Sequence, residues 1–156
     1  IQMFSHGVNV IGLWIIADLI EKQLGTRSMS QLGGLAQKAP VMAILLVVMA
    51  LANVALPLTN AFIGEFLMFN GLFQYNMVMA AIAGISIILA AVYTLNMVQR
   101  VIYGELNVVT EKATDIPFNI KLALVIITLL VLVFGIFPQP LLNLTGDSVS
   151  ALFVKK

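Results

Sequence analysis

Asn53-Val54-Ala55-Leu56-Pro57-Leu58-Thr59-Asn60-Ala61-Phe62-Ile63-Gly64-Glu65-Phe66-Leu67-Met68-Phe69 places a proline, two asparagines, a glycine and a carboxylate in a run that otherwise reads as lipid-soluble. From Ala39 to Phe73 the only formally charged side chain is Glu65. A straight helix over that length would be roughly 50 Å long at the α-helical rise, against a hydrocarbon core of about 30 Å. One unbroken span is too long, and two spans with a turn between them would be too short. Pro57 resolves the mismatch, because it removes a backbone donor and disfavours helix at Leu56. Thr59 and Asn60 then offer side-chain partners to the freed backbone groups. The stretch reads as a helix broken in mid-membrane, with Glu65 just past the break. Broken helices that carry an acid at membrane depth mark ion pathways.

Composition points the same way. Hydrophobic residues are 61% of the chain and charged residues 10%, against about 45–50% and about 25% in soluble domains, and the mean hydropathy is +1.06. The fold class is therefore all-α, a polytopic membrane helix bundle. The basic residues are scattered, which argues against nucleic acid as a partner and leaves the lipid bilayer as the expected surroundings. The chain contains no cysteine, which excludes a disulfide framework and any cysteine-based metal site, and no metal ligand set is assigned. It opens inside an apolar run, with no charged n-region and no small-residue cleavage site, and reads as a piece of a longer protein.

Four apolar segments are expected, at about 1–20, 39–73, 77–99 and 117–137, the second one discontinuous. Gly25 to Lys38 makes a polar loop after the first, in which Gly33-Gly34 reads as a turn. Gly104 to Asp115 makes another after the third, and Asp115-Ile116-Pro117 reads as the N-cap and first turn of the fourth. Pro138 and Pro140 stop that span. An amphipathic helix over about 147–154, capped near Gly146-Asp147, is expected to lie at the interface. Lys22, Arg27, Lys38, Arg100, Lys112 and, by snorkelling, Lys121 fall on one side, against Lys155 and Lys156 on the other. That asymmetry places both long loops in the cytoplasm.

Depth singles out two residues. His6 stands about 18 Å along a helix from Asp18, and Glu65 about 13 Å from Gln74, so both land near the middle of the bilayer. Ser5, Asn9, Asn53, Thr59, Asn60, Ser86, Tyr93, Thr94 and Asn96 supply polar company that can hold water. A histidine in an apolar helix also serves as a plain interhelical donor, as asparagine and serine do. Glu65 is harder to assign to packing, since burying an acid costs about 2.5 kcal/mol or more even on the lenient insertion scale for aspartate. Ala80-xxx-Gly84 is read as helix packing and the methionines as gap-fillers.

Gln2-Met3-Phe4-Ser5-His6-Gly7, Gly33-Gly34-Leu35, Leu56-Pro57, Gly64-Glu65-Phe66 and Phe137-Pro138-Gln139-Pro140-Leu141 together resemble the antiporter-like M subunits of bacterial NADH:quinone oxidoreductase, respiratory complex I. The resemblance covers essentially the whole chain. It implies the last four of fourteen transmembrane helices: the later part of the second of two inverted five-helix repeats, then the final helix. Pro57 would mark the discontinuous twelfth helix. His6 would match the histidine of a central hydrophilic axis, and Glu65 the acid near the outward exit, where the related L and N subunits carry lysine. Ala55 to Thr59 departs from the pattern, since many relatives have glycines around the proline.

The resemblance also implies neighbouring L and N subunits as partners and a multi-pass place in the bacterial inner (plasma) membrane. NADH, FMN, iron–sulfur clusters and quinone would sit in other subunits, with no cofactor in this chain. The expected function is proton relay through His6 and Glu65, helped by desolvation that disfavours fixed charge. The glutamate–lysine pair and central lysine of the family lie outside the present sequence. A cation/proton antiporter subunit and a structural membrane-arm spacer are the alternatives.

Overall fold

Backbone groups in an apolar run have no water to bond and must pair within their own segment. In the computed structural model, which describes residues 1–153, they do so in seven α-helices. These are α1 (Gln2–Leu24), α2 (Leu35–Lys38), α3 (Pro40–Asn53), α4 (Asn60–Tyr75), α5 (Met77–Ile102), α6 (Phe118–Ile136) and α7 (Gln139–Phe153), with a 3₁₀ turn at Thr110–Lys112. All regular structure among the described residues is helical. The last residue of the expected amphipathic helix, Val154, and the two C-terminal lysines, Lys155 and Lys156, lie outside those residues.

α1, α5 and α6, with 23, 26 and 19 residues, are long and apolar enough to cross a membrane. α3 and α4 are not, at 14 and 16 residues, or about 21 and 24 Å. The gap between them starts earlier than the proline. Pro57 has no N–H to give the carbonyl four residues back, and its ring would strike that carbonyl; that residue is Asn53, the last of α3. Val54 to Thr59 then turns irregularly. The Leu56 N–H reaches back to the Leu51 carbonyl at 3.1 Å, and the Thr59 N–H to that of Leu56 at 3.0 Å. Ala55 and Leu58 take left-handed backbone angles, with φ of 54° and 76°.

α1, α3 and α6 pack together around Ile16, Met42, Met49, Leu124 and Val131, all fully buried. α4 lies against α1, α5 and α6. Gly135 of α6 sits directly on the Leu58 carbonyl, where even a Cβ would clash, so the absence of a side chain there lets α6 support the break. Large apolar side chains of α5 and α6, such as Ile82, Ile88, Val92, Leu129 and Ile136, are exposed, as on a lipid-facing surface.

The two long loops meet at one end. The Asn107 amide donates to the Gln31 carbonyl at 3.1 Å, the Thr114 N–H donates to Gln23 Oε1 at 3.2 Å, and Gly33 and Gly34 lie against Glu105 and Leu106. Two local readings are corrected here. Asp115 does not cap the helix that follows it: α6 starts behind Pro117. Its carboxylate instead accepts the Val41 and Met42 N–H groups at 3.1 and 3.0 Å. Pro40 already fills the first position of α3, so the nearby carboxylate finds the open amides of that helix N-terminus. The last helix starts at Gln139 rather than near Asp147, because Pro140 sits in its first turn, where proline is tolerated, and Gly146 is carried inside it.

Candidate functional site

α1 supplies side-chain donors to one carbonyl on either side of the break. Ser5 and Asn9, one turn apart and both buried, face α3 and α4. Ser5 Oγ donates to the Asn60 carbonyl at 3.1 Å, and Asn9 Nδ2 donates to that of Ala52 at 3.0 Å. Thr59 Oγ1 donates back to the Leu56 carbonyl at 2.7 Å, as the sequence predicts. Asn60 does not follow the same expectation. Its side chain is buried, and both its amide atoms lack a protein partner, as does Asn9 Oδ1. Buried polar atoms of this kind are ordinarily paired, and a polar recess with several of them suits bound water.

One turn into α4, Glu65 is half-buried. It opens onto a cleft of about 490 Å³, whose polar lining besides Glu65 is Asn53, Ser86 and Tyr93. α5 thus brings two of its polar residues to the acid. Ser86 Oγ bonds the Ala83 carbonyl of its own helix at 2.6 Å, which leaves its lone pairs toward other donors. Thr94 is buried elsewhere on α5, and Asn96 accepts from Arg100 Nε at 3.0 Å on the exposed face; neither lines the cleft.

His6 is exposed on α1 and makes no side-chain hydrogen bond among the described residues. It shares that outer face with Met3, Val10 and Trp14. The residue of α1 that touches Glu65 is one that the sequence reading passed over, Gln2. Gln2 Nε2 donates to Glu65 Oε1 at 3.5 Å, and Gln2 lies so close to Gly64 that no side chain would fit there. Its only mark in the sequence was its place one helical turn before His6, which says nothing of what lies beside it. Among the described residues, no three of His, Asp and Glu gather as a metal-ligating cluster.

Residues 1–96 match the protein family described as NADH:quinone oxidoreductase/Mrp antiporter, transmembrane region. NADH-quinone oxidoreductase subunit M of Rickettsia typhi is 36% identical over 155 residues, covering 99% of this chain and 31% of the relative. Subunit M of F(420)H(2) dehydrogenase from Methanosarcina mazei is 34% identical over 151 residues, covering 97% of this chain and 30% of the relative. A chain of respiratory complex I from Thermus thermophilus, solved with bound NADH, superposes with a TM-score of 0.69 at 31% identity, over 76% of this chain and 25% of that one. The chain spans about a third of the length of the curated relatives it matches.

Proposed function

The chain belongs to the NADH:quinone oxidoreductase/Mrp antiporter transmembrane family, and from that premise we propose that it is the C-terminal part of a proton-translocating M-type subunit in the membrane arm of a respiratory complex. α1, the broken pair α3–α4, α5 and α6 are its four spans. The end where the long loops meet faces the cytoplasm, as the count of lysines and arginines requires. The setting is a bacterial inner membrane, with antiporter-like L and N subunits alongside.

The observation that carries this reading is Glu65 at the mouth of the polar cleft, half-buried just after the break. An acid in that place is not needed for the packing of α4, and low-dielectric surroundings disfavour a fixed charge on it. It serves as a site that takes up and releases a proton, with water on Asn53, Ser86 and Tyr93 carrying the proton across the cleft. His6 is exposed on the outer face of α1 and hands protons on from there. The chain does no bond-making chemistry. NADH, FMN, iron–sulfur clusters and quinone work in other subunits. A match to an F(420)H(2) dehydrogenase subunit fits a part that is indifferent to the electron donor.

The test is Glu65→Gln, which keeps size and hydrogen-bonding shape and removes the titrating proton. Proton uptake is measured in inverted vesicles, driven by the electron donor and normalised to assembled complex. A relay predicts assembly with a fall in pumping of about tenfold or more, the lower end of a typical general acid–base contribution being higher still. Glu65→Asp should keep more activity than Gln. Wild-type pumping by the Gln variant would leave Glu65 as part of a structural spacer. The family description also covers Mrp antiporters, so a sodium-dependent exchange that runs without electron donor is the second reading. Dependence of proton movement on sodium decides between them.

A further inference from the structure

Four features converge on Gln2, a residue outside the machinery assigned above. Its amide nitrogen is the hydrogen-bond donor to Glu65. Its amide oxygen and its Cβ lie against the bare Cα of Gly64, the residue next to that acid. Its amide oxygen is buried and has no protein partner. Finally, it stands in the first turn of α1, where that helix meets α4.

We infer that Gln2 is a positioning residue for Glu65: its amide N–H group fixes the carboxyl group at the mouth of the cleft while its carbonyl oxygen packs against Gly64. The inference rests on the reading of Glu65 as a proton carrier. An amide suits this place because it has both donor and acceptor atoms. When Glu65 is ionised, the N–H group donates to the carboxylate. When Glu65 is protonated, a half-turn of the amide offers oxygen to the acid proton. A serine would be too short to span the gap, and a lysine would serve the charged state only. The contact at Gly64 holds the stem close to the acid, so in either state one carboxyl oxygen keeps the amide as its partner. The amide carries no proton onward; it holds the group that does.

The experiment uses the complete complex in its membrane. Gln2→Met keeps the unbranched stem against Gly64 and deletes the amide. The Glu65 carbonyl stretch is identified as the redox-induced infrared difference band that Glu65→Gln removes. Loss of a hydrogen bond should move that band to higher wavenumber in Gln2→Met and lower proton uptake about three- to tenfold, the worth of one ordinary hydrogen bond. The double variant with Glu65→Gln should pump no worse than Glu65→Gln alone, because the two residues act as one unit. Gln2→Asn, which keeps an amide but cannot reach, should shift the band in the same direction, and it stands in should Gln2→Met fail to assemble. An unmoved band, or no such band in the wild type, overturns the assignment. So does an additive fall in the double variant. The band reports the contact and pumping reports its use, so the failures separate. An unmoved band with pumping still lost in Glu65→Gln overturns the role of Gln2 alone, whereas wild-type pumping by Glu65→Gln overturns the relay and this role with it.

Discussion

The side-chain amide of Asn9 donates to the Ala52 carbonyl at 3.0 Å, joining α1 to the last turn of α3 where Pro57 has removed regular backbone pairing. The bond crosses 43 positions and ties the break to a neighbouring helix. Asn9→Leu fills similar space and leaves that carbonyl with only its local bonds. The subunit should lose about 1 kcal/mol of stability, the scale of interhelical hydrogen bonds in membranes. The measurement is its thermal release from detergent-purified complex. Release at an unchanged temperature would mean the local turn is sufficient.

Leu58 is held at a φ of 76° with its carbonyl under Gly135. A side chain in that left-handed region costs about 1 kcal/mol, and Leu58 is 64% exposed, so little packing is lost with it. Leu58→Gly should therefore be neutral or stabilise by up to about 1 kcal/mol. Gly135→Ala should destabilise by about 1–3 kcal/mol, since the break has to move away from α6. Thermal release reads both variants.

Asp115 accepts the Val41 and Met42 N–H groups and so caps α3 from 74 and 73 positions away. Asp115→Ala should cost about 0.5–2 kcal/mol, as loss of a helix cap does. Hydrogen exchange of the Val41 and Met42 amides should quicken, with α6 amides unaffected. Faster exchange in α6 alone would restore Asp115 to its own helix.

Asn107 and Gln31 are hydrogen-bonded, so they have to lie on one side of the membrane. Cysteines placed at those two positions, one at a time, should both label from the cytoplasmic side, following the count of basic residues. A cysteine at Asn143 should label from the other side. Opposite labelling of the first two would dissolve the loop contact and the topology with it.

The site was legible where its cause is local. Thr59 bonding back to Leu56 follows from a hydroxyl two residues after a proline. The location of the acid follows from Glu65 being the only charge in its stretch. Asn60 was assigned a backbone partner on the same logic and does not take one, because the packed helices bury its side chain away from the freed carbonyls. Gln2 was overlooked since an amide near the start of an apolar run carries no local signal of what lies beside it.

By itself the sequence determined that the chain is helical and apolar and that its second hydrophobic stretch has to break near Pro57. Those are consequences of backbone pairing and of one ring on one nitrogen, and they act within a few residues. Only the tertiary structure decided that the break opens at Asn53, that Ser5 and Asn9 close it, that Asp115 caps α3, and that Gln2 touches Glu65 while His6 faces outward. A helix apolar on nearly all sides has no strong amphipathic face to say which way it turns. Its orientation is chosen by close fit, a glycine against a carbonyl or an amide against a carboxylate. Those fits join residues dozens of positions apart, beyond the reach of any local pattern.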